Sequence, residues 1–400
     1  MIAHHSAATK ANGWPILAHP FRVFFLAAAC YAIVVVFAWL SFLFSGMNIP
    51  MGWAPLQWHS HEMLYGFVSA AITGFVLTAL TNWTAAAPLQ GGWLLALVGL
   101  WLAGRLAMWL IGWLPSSVVA VVDLAFLPVV ALYVGVTLWR HQNYRNLALV
   151  FVLSLLFAGN VCMHLGFVSG KSHWLNTGQI MGLDLVALLI AIIAGRIIPA
   201  FTQNWLRTQG HNLVLKRSQT IDIIALVALA AILVADTLSA PAAVIGWLAG
   251  TAAAVHALRL VTWFSWKIWR EPLLWVLHLG YFWLVCALAL RSFGHFWPSF
   301  SNSVWLHAMG VGAIGTLILA VMVRVAVGHT GRPLALLRWG WLIFVAISAA
   351  AVLRLLVALG LFDFRLGVNL SAIAWVLAFA VFIALYGPIL VQPRADGRPG

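Results

Sequence analysis

Apolar runs of about twenty residues alternate with short polar breaks from residue 23 to the end of the chain. Each run is long enough to cross a bilayer as a helix. Twelve spans are predicted on this pattern, near 23–45, 60–81, 92–112, 118–139, 145–166, 175–199, 220–238, 241–263, 272–293, 302–327, 338–360 and 370–391. The expected fold is an all-α polytopic membrane bundle of about twelve transmembrane helices. Residues 1–22 form an N-terminal tail, 23–391 a single transmembrane domain and 392–400 a C-terminal tail. The first span is too long for a signal-peptide apolar region. The longest connection, 200–219, has room for a loop or a small amphipathic element, so any chemistry belongs inside the bundle or at its rims.

Composition agrees with this reading. Hydrophobic residues make up 64% of the chain and charged residues only 7%, which excludes an ordinary soluble domain. Many of the 23 tryptophans sit at run ends, as an interfacial aromatic belt requires. The Gly-Trp-Leu triplets at 92–94, 112–114, 246–248 and 340–342 belong to that belt. The net charge of +13 raises nucleic acid as a partner, but the basic residues are scattered through short loops, which argues for lipid contact and against nucleic acid. Cys30, Cys162 and Cys286 fall inside spans without metal-site spacing and read as small apolar filler.

Charge also sets the orientation. With the N-terminus cytoplasmic, sixteen Lys and Arg residues lie on the inner side, and four (Lys171, Arg291, Arg354 and Arg365) on the outer side. That asymmetry follows the positive-inside rule and places both termini in the cytoplasm.

The histidines then sort by depth. His59, His61, His164, His173 and His307 fall toward the outer rim, and His19, His256, His278 and His329 toward the inner. His4 and His5 lie in the N-terminal tail. Ionisable groups are costly in a bilayer and need partners or a function, and imidazole is a common metal and heme ligand. The densest stretch is Trp58-His59-Ser60-His61-Glu62-Met63-Leu64-Tyr65. Residues two apart on a helix point about 200° from one another. Either the helix begins after His59, or only one of the two imidazoles coordinates a given ligand.

His61 and His307 lie at similar depth; His61 stacks one turn from Tyr65, the neighbouring Glu62 lies over a small-residue face from Gly66 to Gly74, and His307 is followed by Gly310, Gly312 and Gly315. Such faces suit either close helix packing or a flat macrocycle. Asn160 lies one turn before His164 and can orient it. Glu62 and Tyr65 are candidates to deliver protons or hydrogen bonds. On the inner side, Gly328-His329-Thr330-Gly331-Arg332-Pro333 is either a surface turn or an anion cradle in which Arg332 could hold a heme propionate. Arg105 and Asp123 lie at similar depth on consecutive spans and are expected to pair. Asp184 stands alone near the middle of span 6. The chain lacks a P-loop, a dinucleotide-binding glycine motif, H-E-x-x-H and C-x-x-C-H, so any heme is non-covalent.

A series of blocks resembles the NnrS family. They are His19-Pro-Phe-Arg22, Trp58-His-Ser-His-Glu-Met-Leu-Tyr-Gly-Phe67, Gly74-Phe-Val-Leu-Thr-Ala-Leu-Thr-Asn-Trp83 and Leu102-Ala-Gly-Arg105. Further along come Gly195-Arg-Ile-Ile-Pro-Ala-Phe-Thr-Gln-Asn-Trp205, Pro272-Leu-Leu-Trp-Val-Leu-His-Leu-Gly-Tyr281, Gly312-Ala-Ile-Gly-Thr316, Gly328-His-Thr-Gly-Arg-Pro333 and Tyr386-Gly-Pro-Ile-Leu390. The resemblance implies a twelve-helix protein of the bacterial inner membrane that carries heme b and copper and acts in the response to nitric oxide. The chain is also, more distantly, similar to the catalytic subunit of heme-copper oxidases, in which histidines near the outer ends of helices 2 and 10 hold a low-spin heme. His61 and His307 occupy comparable places and are the expected axial ligands. The departures are that span 7 has no histidine and that Trp305 stands two before His307, so copper would draw on His59, His164 or the inner His19, His278 and His329. The sequence leaves open whether nitric oxide is only bound or also turned over by an oxidoreductase fed by an electron donor. A secondary transporter, with Asp184 and Arg105 as coupling groups, is the alternative.

Overall fold

The apolar runs fold as helices because backbone polar groups must be satisfied within the segment once water is gone. The structure, a computed structural model, describes residues 14–46, 53–297 and 299–398; His4 and His5 lie outside them. Twelve described helices are long and apolar enough to cross a membrane. They are α1 (Pro20–Ser45), α2 (Pro55–Thr84), α3 (Gly91–Trp109), α4 (Ser116–Arg140), α5 (Tyr144–Ser169) and α6 (Ser172–Thr208). The second half comprises α7 (Gln219–Thr237), α8 (Ala242–Trp263), α9 (Pro272–Phe296), α10 (Asn302–Gly328), α11 (Trp341–Ala358) and α12 (Phe364–Val391). The protein is an all-α, multi-pass membrane protein. "Outer" below means the rim at the C-terminal ends of the odd-numbered helices.

Burial ranks the helices. In α2 and α10, 78% and 67% of the apolar window is buried, against 33% in α7 and 39% in α3 and α12. The helices that carry His59, His61 and His307 are therefore the most interior. Small residues allow it: Gly74 lets Phe24 and Phe25 of α1 approach, Gly312 seats against Trp283, and Gly315 against Trp375. Gly74, Gly312 and Gly315 are thus covered by side chains of neighbouring helices, whereas a side chain at Gly310 would meet nothing within 4 Å among the described residues. The first and last helices are neighbours, since Trp375 Nε1 donates to the Ala32 carbonyl at 3.1 Å. Arg22 donates to the Leu390 and Gln392 carbonyls at 2.9 and 2.7 Å.

Several boundaries differ from the sequence expectation by a few residues, α2 and α12 starting earlier at Pro55 and Phe364, and the largest difference is at the end of α6. The predicted span 6 ends at 199, whereas α6 continues through Pro199 to Thr208, 37 residues in all. At 1.5 Å per residue it is about 55 Å long, well beyond a hydrocarbon core of about 30 Å. Proline lacks the N–H that would bond the residue four back, which frees the Gly195 carbonyl. Arg217 Nη2 donates to that oxygen at 3.2 Å. The tryptophans of the Gly-Trp-Leu triplets, Trp93, Trp113, Trp247 and Trp341, are all exposed at helix ends, as a belt requires. The three cysteines are free.

Candidate functional site

The helix carrying the outer histidines starts early. Pro55 takes the first helical position of α2, where its missing N–H costs nothing, and the Trp58 amide already bonds back to the Ala54 carbonyl. His59 and His61 are therefore both helical and project to different sides. Directly after His61 the helix widens into a π-helical stretch, Glu62–Val68. The same happens after His307, where Ala308–Gly315 is π-helical. These are the two π-helical stretches among the described residues. Such wide turns carry strained hydrogen bonding and concentrate at functional sites.

His61 enters a buried charge network. Its Nδ1 lies 2.7 Å from Glu62 Oε1, and its Nε2 lies 2.8 Å from Asn160 Oδ1 and 3.2 Å from Asp123 Oδ2. Arg105 bridges the two acids, 2.6 Å from Glu62 Oε1 and in contact with Asp123 Oδ1. Tyr31 of α1 donates to Glu62 Oε2 and accepts from Trp109 Nε1. Asn160 Nδ2 donates to Asp123 Oδ2 at 2.8 Å, and His164 Nε2 sits 2.9 Å from the same oxygen. Asp123, Glu62, His61 and Asn160 are all nearly inaccessible to solvent.

Charge balance and hydrogen bonding agree on the state of this network. Two carboxylates face one guanidinium, which leaves one negative charge. Both ring nitrogens of His61 meet acceptors, so a proton on each makes it the second cation. An imidazolium offers no lone pair to a metal. His61, Asp123 and His164 nonetheless form a group whose potential ligand atoms all lie within 4.8 Å of one another, so a metal there would have to displace protons.

His59 and His307 have a different setting. His59 stacks on Trp39, with ring centroids 4.7 Å apart. Its buried Nδ1 has no hydrogen-bond partner among the described residues. The hydrogen bonds of His307 all fall on Nδ1, which lies 2.7 Å from the Ser303 carbonyl and 3.1 Å from Ser303 Oγ. A carbonyl on one ring nitrogen fixes the tautomer and leaves the other nitrogen's lone pair free to coordinate. The two imidazoles lie within electrostatic range of one another and of Arg354, and Arg354 also reaches Ser303 Oγ at 3.4 Å.

The remaining candidates are dispersed. The Tyr65 hydroxyl donates to the Gly178 carbonyl at 2.6 Å and is wedged against Gly159 and Gly182. It packs α2 against α5 and α6. His278 contacts the Leu274 carbonyl at 3.1 Å and the Trp263 carbonyl at 3.4 Å. His173 is exposed near the start of α6. Asp184 pairs with Arg291, which also binds Asp236. His256 lies in a separate network with Tyr281, Arg259 and Asp222.

At the inner rim, the rings of His19 and His329 both lie against Phe21. His19 Nδ1 is buried without a partner among the described residues. Burial, then the nearby Arg22, hold the His19 pKa down at about 4, and burial lowers that of His329. Both rings are neutral, ligand-ready imidazoles at neutral pH. The turn at Gly328–Pro333 is covered by the chain's own C-terminal segment. Arg394 donates to the His329 carbonyl, the Ala395 amide to the Thr330 carbonyl, and Asp396 sits over Gly331. Arg332 Nη1 contacts the Thr330 carbonyl at 3.4 Å.

The family model for the NnrS protein matches residues 15–394, nearly the whole chain. The chain belongs to the NnrS family. As a family member it is a nitric-oxide-associated membrane protein, from a family with a general association with metal and heme. A comparison with curated proteins finds no significant match. Of the residues at the outer rim, Tyr31, Ser303 and Trp39 carry no sequence signal that singles them out. Arg354 carries one, as a cation within a span.

Proposed function

We propose that this NnrS family member binds heme and copper and uses them to bind or process nitric oxide, with its principal metal site at the outer rim between α2 and α10. The observation that carries this reading is the pairing of π-helical turns with histidines on the two most buried helices. The donor set fits a metal or heme iron. Among the described residues, His59 and His307 each keep a ring nitrogen without a hydrogen-bond partner, and Trp39 supplies a flat apolar wall. We accordingly move the ligand pair from His61 and His307 to His59 and His307. A low-valent iron or copper centre supplies affinity for a small uncharged diatomic.

The chain's own residues do the rest. Glu62 accepts from Tyr31 and Arg105 next to the site, and through His61, Asp123 and His164 a chain of hydrogen-bonded groups leads away from it along which a proton could pass. Tyr65 anchors α2. The inner pair of His19 and His329 forms a second neutral imidazole site, with Arg332 available to an anionic substituent. His278, with both nitrogens on carbonyls, is the weakest ligand of the set. A transporter reading gains nothing, because Asp184 and Arg105 are both taken up in ion pairs.

The test is an absorption spectrum and metal analysis of the purified protein. We expect a Soret band and bound copper in the wild type, with the Soret band lost or shifted in His59→Ala and His307→Ala. Retention of the full wild-type spectrum and metal content in both variants would refute the assignment. Anaerobic nitric oxide consumption with an electron donor separates turnover from binding.

A further inference from the structure

Two clefts on the flank of the bundle join end to end. The first, about 90 Å³, lies between α1, α2, α6 and α10 and is lined almost wholly by apolar side chains, among them Phe25, Ile72, Leu189 and Leu317. The second, about 210 Å³, continues toward the inner rim and shares Phe75, Ile193 and Ile197 with the first. Its lower end is polar: Asn82, Arg196 and His329 line it. Arg324 lies beside that end, over the ring of Phe201 at 4.0 Å.

We propose that this crevice is a binding site for one anionic phospholipid, its acyl chain in the apolar part and its phosphate on Arg196. Length supports the occupant. Along α6 the lining runs from Val186 to Phe201, about 22 Å at 1.5 Å per residue. That exceeds one leaflet of a hydrocarbon core about 30 Å thick, so a full acyl chain fits. Charge supports it as well. Arg196 gives one N–H to Asn146 Oδ1 at 2.5 Å, and no described carboxylate forms a salt bridge with it, with Arg145 or with Arg324. A guanidinium has five N–H donors arranged to take a phosphate in bidentate fashion. An uncharged amphiphile would leave Arg196 and Arg145 without a described counter-charge at the edge of the bilayer.

The experiment is native mass spectrometry of the full chain in detergent, with phosphatidylglycerol and phosphatidylcholine of identical acyl chains. One basic residue near anionic lipid is worth about 1 kcal/mol, roughly fivefold in affinity. The wild type should therefore hold phosphatidylglycerol at least about fivefold more tightly. Arg196→Gln should weaken phosphatidylglycerol more than phosphatidylcholine and so erase most of that preference. Ile193→Trp, which plugs the crevice without touching charge, should weaken both lipids. Equal retention of the two lipids by the wild type overturns the proposal, and so does undiminished phosphatidylglycerol binding in either variant. The readout needs no heme or copper, so it is independent of the metal assignment.

Discussion

His59 and His61 show how two adjacent imidazoles acquire opposite chemistry. His61 is surrounded by acceptors and charge, and His59 by an indole face, with its Nδ1 unpartnered among the described residues. Arg105 is what allows the acidic half of this arrangement to exist inside a bundle. It is buried between Glu62 and Asp123. Removing one partner of a buried ion pair leaves an uncompensated charge and typically costs about 3–5 kcal/mol. Arg105→Met should therefore destabilise the protein by about that much in a denaturant titration of detergent-solubilised protein. A loss below roughly 0.5 kcal/mol would mean that the network carries little of the fold.

At the scale of elements, α6 shows how a long helix passes a proline without breaking. The carbonyl freed by Pro199 is taken up by Arg217 from the segment preceding α7. A hydrogen bond to a charged group contributes about 1.5–3 kcal/mol, less where the donor is half exposed, as Arg217 is. Arg217→Met should lower stability by about 1 kcal/mol in the wild-type background. In a Pro199→Ala background, where the helix makes the bond itself, the same substitution should cost markedly less. A double-mutant cycle with no coupling would disprove this capping role. The π-helical turns of α2 and α10 are the other element-scale feature. They shift the helical phase after His61 and His307, so side chains beyond them do not fall where a regular α-helix would put them.

In the whole molecule, the ring of helices closes where α1 meets α12. Arg22 at the start of the first helix donates to carbonyls at the end of the last, so the two ends of the bundle share one rim. With sixteen cationic residues predicted on that side and four on the other, both ends should be cytoplasmic. Alkaline phosphatase fused after Val391 should be inactive, and a green fluorescent protein at the same position should fluoresce. The reverse pattern would invert the topology and exchange the two rims.

Hydrophobic run length determined the helix number, because it is a property of segments that neighbours barely alter, and the charge asymmetry supplied the orientation that the fusion experiment tests. Depth came from the same count: it put His59, His61, His164, His173 and His307 at one level, and of these His59, His61, His164 and His307 pack against described partners while His173 is exposed. The ordered blocks were enough to find the family. Which histidine faces what was left to the tertiary structure. That depends on where α2 begins, at Pro55, on the π-helical turns, and on which helices α2 touches, and none of these is written in a hydropathy pattern. Asp123 as the hub joining α2, α3, α4 and α5 emerged the same way: a buried charge is placed by partners from distant parts of the chain, and only packing brings those partners together.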